Sequence, residues 1–319
     1  MRRRKRLLKR IALVVGVGSL GLWSCGAASP SHGDGGTAAS ATDGGGQFGG
    51  FSVALKDTYA SVDGKVTDGP TPSVVQWDTK TTSGDCVLQA PKSFLCDPAC
   101  AAGTSVCVAT NTCMPYPSAV SVGDVSVSGV HAADGAAHFA LMATSKNYYY
   151  YTPDLAFPPF AVGDVVTVSA AGGTGTPFVL EARGIAPLVV TSQNLLVSAA
   201  SDLTLTWEPG TASSKMEVLV DLSHHGGTKA QIVCETSDDG SLVIPKALVA
   251  SLLDYGATGY PWIVMTRKTS GAKATASGVV SLSVTSVVSQ VVQVPGVRSC
   301  TASTDCDGGL CKMPDRVCQ

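Results

Sequence analysis

The stretch DLTLTW, residues 202–207, shows the pattern that decides the fold of this 319-residue chain. Its two leucines and Trp207 fall on one side of an extended backbone, and its two threonines fall on the other, because side chains alternate along a strand. Alternation of this kind predicts a strand in a sheet that buries one face and leaves the other open.

The same alternation recurs along most of the chain from Phe51 onward, in runs broken by Gly, Pro and Asp that are typical of turns. The runs are FSVALK, SVVQW, VGDVSVSGV, AHFALMA, GDVVTVSA, KMEVLVDL, AQIVCE, GYPWIVMTR and GVVSLSVTSVV. One segment, PKALVASLLDYG, predicts a short helix that Pro245 opens at its first position and Gly256 closes. We therefore predict an all-β protein, an antiparallel β-sandwich of one large or two Ig-like units, with one short helix.

Charge is distributed unevenly along the chain. Seven of the 22 Lys and Arg residues fall within the first ten positions, and all 24 Asp and Glu residues follow position 33. The body of the protein is therefore acidic and carries no basic stripe. This argues against nucleic acid as a partner, because phosphate binding needs clustered positive charge.

The N-terminus predicts an exported and anchored protein. A basic segment is followed by 13 apolar residues, too few to span a bilayer, as in a secretory signal. The exit LWSC resembles the lipobox of bacterial lipoproteins, which implies a signal peptide over 1–24, a lipid on Cys25 and attachment to the membrane. Position 26, directly after the cysteine, is Gly. Many lipoproteins that stay at the inner membrane have Asp there, so Gly26 favours the outer membrane of the cell envelope. The alternative is an ordinary signal peptide cut near Ala27 or Ala28.

Residues 25–50 are rich in Gly, Ala and Ser and predict a flexible tether. Beyond it we expect an N-terminal segment with a cysteine cluster at 51–118, a first β unit at 119–190 and a second β unit at 191–296. A C-terminal cysteine-rich module at 297–319 completes the chain.

An odd number of cysteines, 11, cannot all form disulfides with one another. We expect Cys25 to be the unpaired one, because it is the predicted site of lipid attachment. Two quartets form small knots, and in each we favour pairing of the first with the third and the second with the fourth, although spacing alone allows three connectivities. The favoured pairs are Cys96 with Cys107, Cys100 with Cys113, Cys300 with Cys311, and Cys306 with Cys318. Elimination then pairs Cys86 with Cys234, which would hold 51–118 against the body. Zinc is the alternative, but neither quartet has a C-x2-C pair or a nearby His, and an oxidising compartment favours disulfides.

The order of motifs from the lipobox through DPAC, GDVVTVSAAGG, DLTLTWEPG and IVCETSDDGSLVIPKALVASL resembles a family of uncharacterised lipoproteins of myxobacterial-type soil bacteria. The C-terminal quartet resembles short Dickkopf-type cysteine-rich modules of bacterial surface proteins. These resemblances imply a β-sandwich and a surface location. They bring no known activity, no catalytic residue and no cofactor.

Two further stretches carry candidate site residues. In NYYYYT the side chains of Tyr148, Tyr149, Tyr150 and Tyr151 alternate, so two would pack inward and two would be displayed to a glycan or a protein partner. The alternative is an edge strand covered by a loop. The pair His224-His225 has Asp221 nearby in sequence, but exposed loop histidines are the commoner case, so we assign no metal ligand there.

Ser270-Gly271-Ala272-Lys273 formally matches S-x-x-K, but we place it in a glycine turn between two strands and assign no catalytic residue. The sequence thus favours a lipid-anchored cell-envelope protein with a non-enzymatic binding or structural role and no cofactor. One alternative is a surface carbohydrate-binding protein that uses the tyrosine strand. The other is a hydrolase without a local motif, since catalytic triads are assembled in space.

Overall fold

The computed structural model describes residues 47–173, 175–276 and 278–319. These residues contain twenty strands and one α-helix. The strands are β1 (Gln47–Leu55), β2 (Ala60–Val66), β3 (Gln76–Ser83), β4 (Cys86–Lys92), β5 (Ser105–Ala109), β6 (Thr112–Pro115), β7 (Val125–Ser128), β8 (His138–Ala140), β9 (Met142–Ala143), β10 (Tyr148–Tyr150), β11 (Val165–Ala170), β12 (Phe178–Arg183), β13 (Leu203–Thr206), β14 (Lys215–Asp221), β15 (Gln231–Ser237), β16 (Ser241–Ile244), β17 (Trp262–Ala274), β18 (Val279–Val291), β19 (Cys311–Lys312) and β20 (Val317–Cys318). The helix α1 is Lys246–Leu253. No helix in this described part is long and apolar enough to cross a membrane.

Ten of the strands form one continuous sheet in the order β3-β4-β15-β14-β17-β18-β1-β2-β10-β9. Neighbours in it are antiparallel except β1 and β18, which run parallel from Gln47 opposite Val279 to Leu55 opposite Ser286. A four-stranded sheet, β12-β11-β7-β8, and the pair β13-β16 supply the second layer. The predicted all-β sandwich is therefore confirmed, with one parallel pair that the sequence did not reveal.

Two hydrophobic cores lie against the inner face of the large sheet. The first is closed by the four-stranded sheet and contains Phe51, Val168 and Leu282. The second is closed by β13, β16 and α1 and contains Leu205 and Met216. The molecule is thus two sandwich halves built on one shared sheet.

Residues 202–207, the stretch DLTLTW, are buried and exposed in the alternating pattern that their sequence predicts. Leu203, Leu205 and Trp207 are buried in the second core, whereas Thr204 is exposed. The helix also forms where expected, and its apolar residues pack on the same core. Pro245, however, is extended and precedes the first helical residue instead of occupying it.

The two cores divide the chain differently from the expected segments 119–190 and 191–296. Strands β1 and β2 belong to the first core, β4 belongs to the second, and the long β17–β18 hairpin contributes to both. β1 also begins at Gln47, inside the expected tether of 25–50. Sheet pairing between distant segments causes these differences, and local sequence does not reveal it.

The S-x-x-K match lies inside β17 and not in a turn, which corrects its expected position. Gly271 is needed there because a Cβ atom would stand 1.9 Å from the carbonyl oxygen of Glu181. The glycine lets β12 of the second layer approach β17 closely.

Five disulfides staple the fold, and they join the same pairs that the sequence analysis favoured. Cys86 and Cys234 sit directly opposite each other on β4 and β15, with a Cα–Cα distance of 4.0 Å. The other four join two small hairpins, β5–β6 and β19–β20, to the segments that precede them in the chain. The disulfide on β4 ties the N-terminal segment to the body.

Candidate functional site

The tyrosine stretch divides into displayed and buried members. Tyr149 is 1% exposed, and its hydroxyl oxygen accepts a hydrogen bond of 2.9 Å from the Val122 N–H. Tyr151 stacks on Phe139 with ring centroids 3.9 Å apart. Tyr149 therefore belongs to the core, and Tyr151 packs against its edge.

Tyr148 and Tyr150 point to the opposite, outer face of the large sheet. Tyr148 is 40% exposed and Tyr150 is partly exposed. Their ring planes lie within 18° of parallel, and their centroids are 6.4 Å apart. The two rings present one combined aromatic surface near the end of the sheet.

Asp63 completes this surface, although no local sequence pattern indicated it. It lies opposite Tyr150 in the β2–β10 register and beside the Tyr148 side chain. Burial raises the pKa of Asp63, although interaction with the Tyr148 hydroxyl and the charge of Lys56 act in the opposite direction. Burial and the nearby Asp63 charge raise the pKa of Tyr148, so its hydroxyl stays protonated and can donate.

The outer face beside the tyrosines is lined by small hydroxyl side chains. Cross-strand neighbours, about 4.8 Å apart as in any sheet, form a row across six strands. The row consists of Met142, Tyr150, Asp63, Ser52, Ser283 and Ser270. All six are partly or fully exposed, so this row is open to solvent.

A second cluster surrounds the double histidine after β14. His224 stacks on Trp262 with centroids 3.6 Å apart and planes 18° from parallel. His225 lies 3.9 Å from His224 between centroids and meets Tyr260 edge-on at 6.2 Å. Only His225 is the exposed loop histidine that the sequence favoured, since His224 is partly buried.

The charge environment of this cluster is defined by Asp221, the last residue of β14. Its carboxylate is buried and accepts hydrogen bonds from the Ser223 N–H at 2.8 Å and the Thr228 hydroxyl at 3.0 Å. Burial lowers the pKa of His224, the neighbouring His225 lowers it further, and Asp221 opposes both. The net effect is a pKa of His224 below its ordinary value.

Two buried polar atoms beside this loop have no hydrogen-bond partner among the described residues: the Thr258 hydroxyl oxygen and the Trp262 indole nitrogen. Thr258 lies under the loop, because a Cβ on Gly226 would stand 2.6 Å from its Oγ1. Buried unpaired groups of this kind call for an explanation, such as an ordered water or ion.

A buried ion pair joins the two layers of the second core. Asp238 accepts bonds from Arg267 Nε at 2.7 Å, Ser214 Oγ at 2.6 Å and Trp207 Nε1 at 2.8 Å. Arg267 also donates to the carbonyl oxygens of Ala186, Pro187 and Glu208. Burial alone would raise the pKa of Asp238. The hydrogen bonds that Asp238 accepts from Arg267, Ser214 and Trp207 outweigh burial and hold the pKa below its usual value. Both charged groups use their hydrogen-bonding capacity within the fold, which is typical of an ion pair with a structural role.

Two shallow depressions on the described surface have volumes of about 350 and 260 Å³. The first is lined by Lys80, Thr81, Leu88, Ser251, Asp254 and Tyr255, and the second by Leu196, Pro261, Val292, Gln293, Val294, Pro295, Val297 and Ser299. Neither brings a histidine together with an acid and a nucleophile.

Groups of three potential metal ligands occur in the described ranges only among the knot cysteines. Cys96, Cys100 and Cys107 form one group, and Cys300, Cys306 and Cys318 form the other. Their sulfurs are already bonded in disulfides, which leaves no thiolate for zinc. Cys25, the expected lipid attachment site, lies outside the described residues.

This architecture defines the class of protein: a disulfide-bonded β-sandwich protein with adjoining sandwich halves. No protein-family model matches the chain, and no curated protein matches it.

Among solved structures, the chain is similar to a tetra-tandem repeat in the extending region of a large adhesion protein, at 15% identity and a TM-score of 0.20. That match covers 77% of this chain and 59% of the adhesion-protein chain. The chain is also similar to the FN1–FN3 domains of chicken CNTN1, at 11% identity and a TM-score of 0.20, over 73% of this chain and 72% of the other.

Proposed function

We propose that this protein is a lipid-anchored, non-enzymatic binding protein of the cell envelope. The observation that carries the binding role is the open outer face of the ten-stranded sheet, where Tyr148 and Tyr150 are displayed beside Asp63. The anchoring part of the proposal rests on the LWSC exit before Cys25. Five disulfides in one chain are typical of an oxidising compartment, which supports a location outside the cytoplasm.

The hydrolase alternative has less support from the geometry. The most deeply buried acid–base pair, Asp238 and Arg267, is saturated by structural hydrogen bonds and has no access to a substrate. The open face carries aromatic and hydroxyl groups, which suit recognition more than proton transfer.

The tyrosine pair favours a carbohydrate as the ligand of this face. Aromatic rings pack on the apolar faces of sugar rings, and the polar ends of tyrosines and carboxylates bond to sugar hydroxyls. Tyr148, Tyr150 and Asp63 supply both kinds of group within one small surface. The neighbouring Ser52 and Ser283 extend the hydroxyl-rich face without adding charge.

The glycan-binding role is tested by measuring retention of the purified protein on insoluble polysaccharides and on a glycan array. The double change Tyr148→Ala/Tyr150→Ala should weaken binding by roughly tenfold, since each aromatic contact contributes about 0.5–1.5 kcal/mol. Tyr116→Ala is the matched control, because Tyr116 is 37% exposed but lies outside β10. Equal retention of all three proteins would contradict the role of the pair.

The anchor is tested separately by cell fractionation. Cys25→Ser should leave an unprocessed or soluble form, because no lipid can then be attached at that position. Recovery of this variant in the membrane fraction with a mature-length N-terminus would exclude lipidation of Cys25.

A further inference from the structure

We propose that His224 and His225 form a binding site for a divalent transition-metal ion, independently of the tyrosine surface. The site lies in the loop between β14 and β15, and its two donors are imidazole rings that contact each other. Imidazole is a preferred ligand of Zn²⁺, Cu²⁺ and Ni²⁺.

The backbone of the loop brings the two rings together. Neighbouring residues of an extended chain point their side chains apart, but His225 adopts a φ of +61° and turns its ring back toward His224. The left-handed region is uncommon for a residue other than glycine and costs free energy. The ring centroids are 3.9 Å apart, so the two imidazole groups lie side by side in the loop.

His224 is held in place before any ion arrives. Its carbonyl oxygen accepts a bond of 2.8 Å from the Tyr260 N–H, and its ring is stacked on Trp262. Gly259 permits this packing, because a Cβ there would stand 2.0 Å from the same carbonyl oxygen. A donor that is already positioned loses little conformational freedom on binding.

The surrounding charge favours a cation. The carboxylate of Asp221 is buried three residues before His224. A carboxylate behind metal-binding imidazoles is a common outer-sphere group, and it would disfavour an anion at the same place.

Thr258 offers a further polar group beside the loop. Thr258 is only 6% exposed, and its oxygen lies against the loop beside Gly226 without a partner in the described part of the chain. Two imidazoles leave open positions on a four-coordinate ion, and these are filled by water. Such a water would supply the hydrogen bond that Thr258 lacks.

The test is calorimetric titration of the full chain, freed of metal, with Zn²⁺ alone and then with Cu²⁺ alone. We expect one saturable site per chain and a rise in the thermal unfolding midpoint on binding. His225→Asn removes the imidazole but suits the left-handed backbone, so it keeps the fold and should weaken binding by more than about tenfold. His224→Ala should do the same.

The matched control replaces the exposed His131 and His138 together with alanine, which should leave the affinity unchanged. Absence of a saturable site in the unaltered protein would overturn the proposal. So would unchanged binding in His225→Asn, or an equal loss of affinity in the His131/His138 control, which would indicate adventitious binding to surface histidines.

Discussion

Replacing Asp238 with alanine should destabilise the protein more than any other single change to a charged side chain in its described part. The change removes the carboxylate that accepts bonds from Arg267, Ser214 and Trp207. The guanidinium of Arg267, whose side chain is 1% exposed, is then left as a buried charge without its counterion. Breaking a buried pair in this way costs about 3–5 kcal/mol.

The magnitude is large beside the total stability of a protein domain, which is about 5–15 kcal/mol. We expect the free energy of unfolding, measured by urea denaturation with the disulfides intact, to fall by that amount in Asp238→Ala. In the double variant Asp238→Ala/Arg267→Met, no charge remains unpaired, so much of the lost stability should return. Asp78→Ala is the control, because the Asp78–Lys80 pair is solvent-exposed.

The reasoning would be refuted if Asp238→Ala lost less than about 1 kcal/mol, the usual size of a single neutral hydrogen bond. It would also be refuted if the double variant were less stable than Asp238→Ala alone. Either result would mean that the buried guanidinium finds solvent or another partner.

Three other outcomes follow from the same structure. Folding lowers the pKa of Asp238, so its ionised carboxylate stabilises the fold above the unfolded-state pKa of about 3.9. This contribution is lost as the pH falls through the folded-state pKa. The free energy of unfolding should therefore fall less steeply with acid in Asp238→Asn than in the unaltered protein. Gly271→Ala should destabilise by about 1–3 kcal/mol, because its methyl group meets the Glu181 carbonyl, and a thermal midpoint equal to that of the unaltered protein would contradict this close approach. Replacing Cys86 and Cys234 together by alanine should cost about 4–5 kcal/mol in denaturant, because the bridge spans 148 residues; a loss no larger than that from removing Cys300 and Cys311 would contradict the loop-length argument.

Period-two alternation was enough to predict the sandwich, because it reports directly which face of a strand is buried. The stretch 202–207 shows this, with its leucines and Trp207 inside the second core. The pairing of Cys86 with Cys234 also followed from counting. Neither inference needs knowledge of which strands are neighbours.

The parts that sequence could not predict all depend on distant pairing. The parallel contact of β1 with β18 joins opposite ends of the body. Asp63 meets the tyrosines only because β2 pairs with β10, and His224 meets Trp262 only because β14 pairs with β17. No local sequence pattern indicates which strands pair, so only some residues of the candidate sites could be predicted.

The parallel pairing of β1 and β18 has a consequence for how the chain acquires its structure. β1 precedes every other strand of the described body, yet Gln47 bonds to Ser281 across 234 residues. Until β18 pairs with it, the apolar side of β1, with Phe51 and Val53, lacks the neighbouring core residues Leu282 and Val284. Completion of the central sheet therefore needs nearly the whole body of the chain, and contacts between such distant segments make folding slow.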